Sequence, residues 1–236
     1  MRDNKNMKFD NFIYEERMTT IRQESQMDNN SLQKYISTCK DEKIPDLMQR
    51  GARINCILQG IIGTPTNVFL QITKYPNINS YYKIQTELNK NKLDLIENEQ
   101  VRFLMAITNR PKDPFPIEDH RPIYSNRVFY IDKKDIEKCA DLSYNKVWPL
   151  YEAWGCSVLG LFSSLSFERF HAIKLFAGYK SIAHWEKTRN IIGSKPDIIE
   201  EKVWEEGKKA VFQRAAFTLK SNVSLMRSIY LPKDEK

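Results

Sequence analysis

Arg169 and His171, in the last third of a 236-residue chain, have the types and spacing for proton-transfer chemistry. Side chains alternate along an extended strand, so Phe167, Arg169, His171, Ile173 and Leu175 share one face. A histidine there suits a general base, because its unperturbed pKa of ~6.5 lies near neutrality. Arg169 suits a clamp for a carboxylate or enolate oxygen. Glu152 is the third catalytic candidate. It is the one charge between Lys146 and Glu168, and burial would raise its pKa and make it an acid. Tyr179, His184 with its neighbour Trp185, Trp154, Tyr130 and Asn67 are candidate substrate contacts. Each also has an ordinary structural reading. His171 fits a hydrogen-bonded or solvent-facing strand residue, Glu152 a helix residue pointing to water, and His184 a cap near a helix start. The aromatic residues fit a core.

Other chemistries find little support. The sequence contains no G-x-G-x-x-G, no Walker loop, no H-E-x-x-H and no G-x-S-x-G. With three histidines and no clustered cysteines, no metal site is expected. The chain carries 37 basic and 30 acidic residues, a formal +7, but the charges are mixed. Glu200, Glu201, Lys202, Glu205, Glu206, Lys208 and Lys209 read as a solvated helix face, so no nucleic-acid partner is expected. Cys39, Cys56, Cys139 and Cys156 form no C-x-x-C pair, and residues 1–10 are polar. Reduced core cysteines in a cytoplasmic protein are the simplest expectation. The apolar stretch 147–167 holds Pro149, Gly155 and Gly160, which break a membrane span, so it is read as a helix end and a buried strand.

The elements that position these residues emerge from an internal repeat. Pro45 and Pro149, Gly51 and Gly155, and Tyr75 and Tyr179 are each 104 positions apart, so both copies read P-x5-G-x23-Y. Leu104-Met105-x5-Pro111 matches Leu225-Met226-x5-Pro232 at an offset of 121, the extra residues falling in a charged helical insertion near 193–212. Asn67 is the counterpart of His171 in this register, so a histidine site would be asymmetric.

Copy one predicts strands at 14–23, 52–62, 67–74 and 101–109. The charge in the first makes its alternation poor. Its helices are expected from about 30, interrupted at Pro45 and ended at Gly51, and at 77–89. Copy two predicts strands at 126–132, 156–163, 167–176 and 222–230, a helix at 134–154, and a second helix N-capped by Ser181. The fold class is α+β: two tandem ferredoxin-like βαββαβ units whose antiparallel sheets form an α/β barrel. The first repeat spans 1–110, a proline-rich linker 111–124 and the second repeat 125–236. His120, among the linker prolines, is expected to be exposed.

Copy two resembles the NIPSNAP-type branch of the dimeric α/β-barrel superfamily. The matching pieces are Arg127-Val-Phe-Tyr130, Pro149-x5-Gly155, and Leu175-Phe176-Ala-Gly-Tyr179-Lys-Ser181 followed by Trp185. It departs from the family in the spacing of Arg127 and Tyr130 and in carrying Asp132-Lys-Lys-Asp135 in place of a glycine turn. The resemblance implies two four-stranded sheets facing one another under covering helices, with a pocket inside the barrel or between sheet and helices. It also implies a range of activities, from cofactor-independent oxygenases, cyclases and isomerases to haem proteins and regulatory ligand-binding modules, so the site must decide.

Three functions follow. The first is a small-molecule enzyme without organic cofactor, an oxygenase, isomerase or cyclase acting on an enolisable or aromatic metabolite in a barrel pocket, with His171 as base and Arg169 as anion stabiliser. The second is a haem protein using His184 or His171 as iron ligand, as the resemblance allows. The third is a non-catalytic scaffold or ligand-binding protein, for which a filled barrel is expected. The expected partner is a small molecule, with no membrane span, in a monomer or homodimer.

Overall fold

The computed structural model of the chain describes residues 12–25, 28–88, 94–113, 115–166 and 170–232. The first half comprises β1 (Ile13–Ile21), α1 (Asn29–Thr38), α2 (Ile44–Gln49), β2 (Arg53–Ile62), β3 (Val68–Tyr75), α3 (Ile78–Leu88) and β4 (Ile96–Ala106). The second comprises β5 (Ile123–Ile131), α4 (Ile136–Leu142), α5 (Trp148–Ala153), β6 (Ser157–Ser164), β7 (His171–Tyr179), α6 (Ile182–Lys187), α7 (Glu201–Ala216) and β8 (Thr218–Tyr230). In each half the strands lie side by side in the order fourth, first, third, second. β2 then pairs with β8 and β4 with β6, so the eight antiparallel strands close into one barrel.

The repeated proline does not break the helix. α1 and α2 are joined by a π-helical turn, Cys39–Lys43, and α4 and α5 by another, Ser143–Val147. The Ile44 N–H reaches back to the Cys39 carbonyl and the Trp148 N–H to the Ser143 carbonyl. A proline ring clashes with the carbonyl four residues earlier and offers no N–H, and a widened turn just before it lets the helical path continue. Gly51 and Gly155 then end the two helices with φ near +89° and +88°. The following N–H groups, of Ala52 and Cys156, bond back to the Leu47 and Tyr151 carbonyls at 3.0 and 2.9 Å, a closure that needs the left-handed glycine.

Strand boundaries depart from expectation where the strands run out of apolar residues. β4 begins at Ile96 and β8 at Thr218, and the early part of each is exposed. β5 starts at Ile123, inside the expected linker. Phe115 of that linker is 1% exposed and packs with Tyr14, Tyr124, Phe162 and Phe176, while the His120 ring stacks on it at 5.3 Å. His120 is therefore partly buried rather than a bare loop residue.

Among the described residues the barrel interior is packed with large side chains where a barrel pocket was expected. Tyr14, Leu58, Leu70, Ile72, Leu104, Phe162 and Phe176 fill it. At its centre the Lys174 ammonium bonds both carboxylate oxygens of Glu16, with side chains 5% and 1% exposed, and Arg102 stands 3.6 Å from the same carboxylate. Outside the barrel, two further layers join sheet to helices. One lies under α4, α5 and α7, the other under α1, α2 and α3.

Candidate active site

Space for a ligand lies in the first half, between the sheet and the helices. A cavity of about 380 Å³ is bounded by β1, β3 and β4 on one side and by the α1–α2 helix and α3 on the other. Alternation decides which side chains reach it. Tyr14, Glu16 and Met18 of β1 point into the barrel, so Glu15 and Arg17 point to the helices. Gln71 and Tyr75 of β3 share that outer face, as does Glu99 of β4. Tyr35, Lys43 and Leu47 meet them from the helix.

The polar groups form one network. Arg17 Nε donates to Glu15 Oε1 at 2.5 Å, Arg17 Nη1 to Glu99 at 3.0 Å and Arg17 Nη2 to Gln85 Oε1 at 2.9 Å. The Tyr75 hydroxyl donates to Glu15 Oε2 at 3.3 Å and accepts from Gln85 Nε2 at 3.1 Å. Burial works against the Arg17 charge, but the Glu15 and Glu99 carboxylates outweigh it and lift its pKa above the ordinary value. Burial, reinforced by the Glu15 charge, pushes the Tyr75 phenol well up, so it remains a proton donor. Lys43 makes no hydrogen bond or ion pair among the described residues, and burial lowers its pKa. Gln71 Nε2 donates to Thr73 at 2.7 Å, while its side-chain oxygen is buried without a partner.

The second half uses the same frame differently. Where the first has Tyr35, Lys43, Gln71 and Thr73, the second has Cys139, Val147, Leu175 and Ala177. Strand register puts Ser125 where Glu15 stands, because Ile13 faces Tyr75 and Ile123 faces Tyr179. Cys139, Val147, Leu175 and Ala177 pack with Trp148, Ile173 and Ala210 of α7 into an apolar cluster, and Arg214 of α7 is buried beside it over the Phe129 ring with its guanidinium donating to Ser143. Among the described residues the first half has no helix between α3 and β4 that corresponds to α7.

Among the described residues, none of the site candidates His171, Glu152, Tyr179, His184, Trp185, Trp154, Tyr130 and Asn67 lines the cavity. His171 does share a face with Ile173 and Leu175, but it is 7% exposed, in the second half, with Nε2 2.6 Å from Ser163 Oγ. Burial, aided by the Lys133 charge, holds its pKa below the ordinary value. Arg169 and Phe167 lie outside the described residues. Glu152 is not buried: its side chain is 35% exposed and pairs with Arg110 at 2.5 Å, so the acid expected from burial loses its cause. Asn67 sits before β3 and donates to the Ile21 carbonyl at 2.9 Å.

His184 cannot serve as an iron ligand as it stands. Its Nδ1 accepts from the Lys180 N–H at 3.1 Å, which puts the ring proton on Nε2, and Nε2–H donates to the Trp154 carbonyl at 2.9 Å. Ser181 caps α6 as expected, accepting the His184 N–H at 3.0 Å. With His184 fully engaged, His171 Nε2 held by Ser163, and the second-half layer filled, these residues do not fit haem. Trp154 packs edge-on against Trp204 at 5.6 Å, and Trp185 borders the second-half layer under Arg189. Tyr130 is half-buried with Lys220 over its ring, and Tyr179 is a core residue 3.5 Å from Ser125 Oγ. Its counterpart Tyr75 is the one at the cavity. The missed signal was in β1, where Glu15, Glu16 and Arg17 put charges on both faces of one strand. All four cysteines are free and buried.

Comparison with solved structures bears on the fold. The chain is similar to an anthrone oxidase-like protein, with a TM-score of 0.61 and 11% identity over 94% of this chain and 93% of that one. A candidate monooxygenase from Fusobacterium nucleatum superposes with a TM-score of 0.61 at 11% identity, covering 94% of each chain. A third, a candidate monooxygenase from Lactobacillus acidophilus, gives 0.59 at 11% identity over 95% and 97%. At such identity the likeness is one of fold alone. No family model and no curated protein matches the chain. Among the described residues no helix is long and apolar enough to cross a membrane, and no group of three or more His, Cys, Asp or Glu is placed to hold a metal ion.

Proposed function

We propose that the chain is a small-molecule enzyme of the oxygenase, isomerase or cyclase type that acts, without an organic cofactor, on an enolisable or aromatic substrate in the first-half cavity. The observation that carries this is the Glu15–Arg17–Tyr75–Gln85 network facing a cavity of about 380 Å³, whose second-half counterparts, Ser125, Arg127, Tyr179 and Arg189, include no carboxylate to act as base. That volume is within the ~300–1,000 Å³ usual for small-molecule sites. The three reaction types share a first step, loss of a proton to give an enolate or phenolate. Glu15 takes that proton, and the Tyr75 hydroxyl and Arg17 guanidinium stabilise the developing oxyanion. His171, in the other half and bound to Ser163, has no part in turnover.

The names of the structural neighbours recommend anthrone, a tricyclic enolisable ketone, as the first probe, followed by smaller phenols and 1,3-diketones. Oxygen uptake or a spectral change on turnover is expected for a member of this panel. Glu15→Gln should reduce turnover at least ~100-fold with ligand binding kept. Undiminished turnover in Glu15→Gln would remove the assignment. Saturable binding with no turnover across the panel would instead indicate a ligand-binding module. The shared strand order, proline-linked π-turns and terminal glycines also support origin of the halves by tandem duplication, with 111–124 as the join. Placement in the NIPSNAP branch rests on the second-half motifs alone.

A further inference from the structure

We infer that Lys43 is a nucleophilic amine that captures an aldehyde or ketone substrate as an imine in the first-half cavity, which deepens the function proposed above and rests on it. The residue lines the cavity and is without a hydrogen bond or ion pair among the described residues. Arg17, the other cation on the wall, bonds Glu15, Glu99 and Gln85, and a guanidinium does not act as a nucleophile. Packing does not demand a lysine here, since the equivalent position in the second half is Val147, 1% exposed in an apolar layer. The π-turn that accommodates Pro45 ends at Lys43 and sets it on the cavity side of the helix. Glu15, Glu99, Arg17 and Cys39 are the titratable groups whose charges act on it. Burial outweighs the two carboxylates and lowers its pKa, which raises the share of neutral amine at neutral pH.

The step balances without a further reactant. The Nζ lone pair attacks the carbonyl carbon, the C=O π pair moves to oxygen, and the carbinolamine loses that oxygen as water with both protons originally on the neutral amine. The neutral imine then takes one proton from solvent water, and the resulting iminium withdraws electrons from the neighbouring carbon, so the α-proton is more easily passed to Glu15. Hydrolysis returns the amine and the product carbonyl.

Reductive trapping tests this. The full chain is incubated at neutral pH with 2-naphthaldehyde, then with sodium cyanoborohydride, and its peptides are mapped by mass spectrometry. Lys43 is expected to carry the secondary-amine adduct at least ~10-fold faster than surface lysines, whose amines stay protonated at neutral pH. Lys43→Met and Lys43→Arg should both lose the fast adduct with unchanged circular dichroism and melting temperature. Lys43→Arg separates a nucleophile from a mere positive charge, since it keeps the charge. Uniform labelling of surface lysines, or a fast adduct that persists in either variant, overturns the inference. Aldehyde binding, followed by naphthyl fluorescence, separates the two readings. Saturable binding without trapping defeats the imine and leaves the cavity reading standing, whereas no saturable binding defeats the imine, and silence across the anthrone, phenol and diketone panel as well removes the cavity reading.

Discussion

Tyr75 and Tyr179 occupy one position in two halves, and the difference between them is set by what stands opposite. Tyr179 faces Ser125 in a filled layer, while Tyr75 donates to Glu15 beside open space. The repeat made the tyrosine visible in the sequence, but not which copy borders a cavity, because that depends on Glu15, Gln71 and Lys43 arriving from three separate elements. Tyr75→Phe should keep the fold, costing about 1 kcal/mol for the lost hydrogen bond, and should lower turnover by about 100-fold. Steady-state kinetics beside urea denaturation separates the two effects. His171 makes a different prediction. Its folded pKa lies below the unfolded value, because burial first, and then Lys133, disfavour the imidazolium. The unfolded chain therefore binds a proton that the folded one resists, and stability falls as pH drops through the unfolded pKa of ~6.5. Melting temperatures of wild type and His171→Gln from pH 7.5 to 5 should show a shallower acid decline in the variant, while turnover at pH 7.5 is unchanged. Parallel declines would show that the histidine contributes none of the pH dependence.

At the level of elements, the legible parts were those with punctuation or periodicity. Gly51 and Gly155 mark helix ends whose geometry they enforce, whereas the sequence alone reads Pro45 as a break where a π-turn carries the helix on. The early parts of β4 and β8 were missed because residues such as Glu97, Asn98 and Glu99, or Lys220 and Ser221, show no apolar alternation. Backbone pairing to β1 and β5, with side-chain bonds such as Arg17 to Glu99 and Arg127 to Ser221, holds them as strands. α7 was read as a charged insertion, and its inner side fills the layer that stays open in the first half. Gly207 lets it approach: a Cβ there would meet Leu150 Cβ at 2.5 Å. In a free helix Gly→Ala gains ~1 kcal/mol, but overpacking costs ~1–3 kcal/mol, so at this site the clash should prevail. Gly207→Ala is expected to destabilise the chain by about 1–2 kcal/mol in urea titration. A stabilised variant would mean that α7 is not tightly seated on α5.

On the scale of the molecule, the barrel joins the halves by backbone pairing at two seams and by one ion pair through its centre. The charged first strand, which looked like a poor strand in the sequence, is explained by this arrangement. Both its faces are buried, Arg17 and Glu15 toward the cavity and Glu16 toward Lys174, which is 158 residues away in the chain. No local pattern encodes such a partner, because it exists only once the barrel has closed. Burial lowers the Lys174 pKa and Glu16 opposes the shift, so the two charges are retained through each other. Removing one partner of a buried pair typically costs ~3–5 kcal/mol, whereas replacing both by apolar side chains is often neutral or better. Arg102, 3.6 Å from Glu16 but half exposed, can compensate only part of the loss. Lys174→Met should therefore destabilise by about 3 kcal/mol, less than the upper figure because Arg102 remains. Glu16→Met should cost at least as much, since it leaves a lysine with no carboxylate in the packed interior. The double variant should recover most of the loss, with a coupling free energy of about 2 kcal/mol or more in a double-mutant cycle by urea denaturation. Additive single effects would mean that the pair does not tie the halves together, and that closure rests on the β2–β8 and β4–β6 seams and the aromatic packing around them.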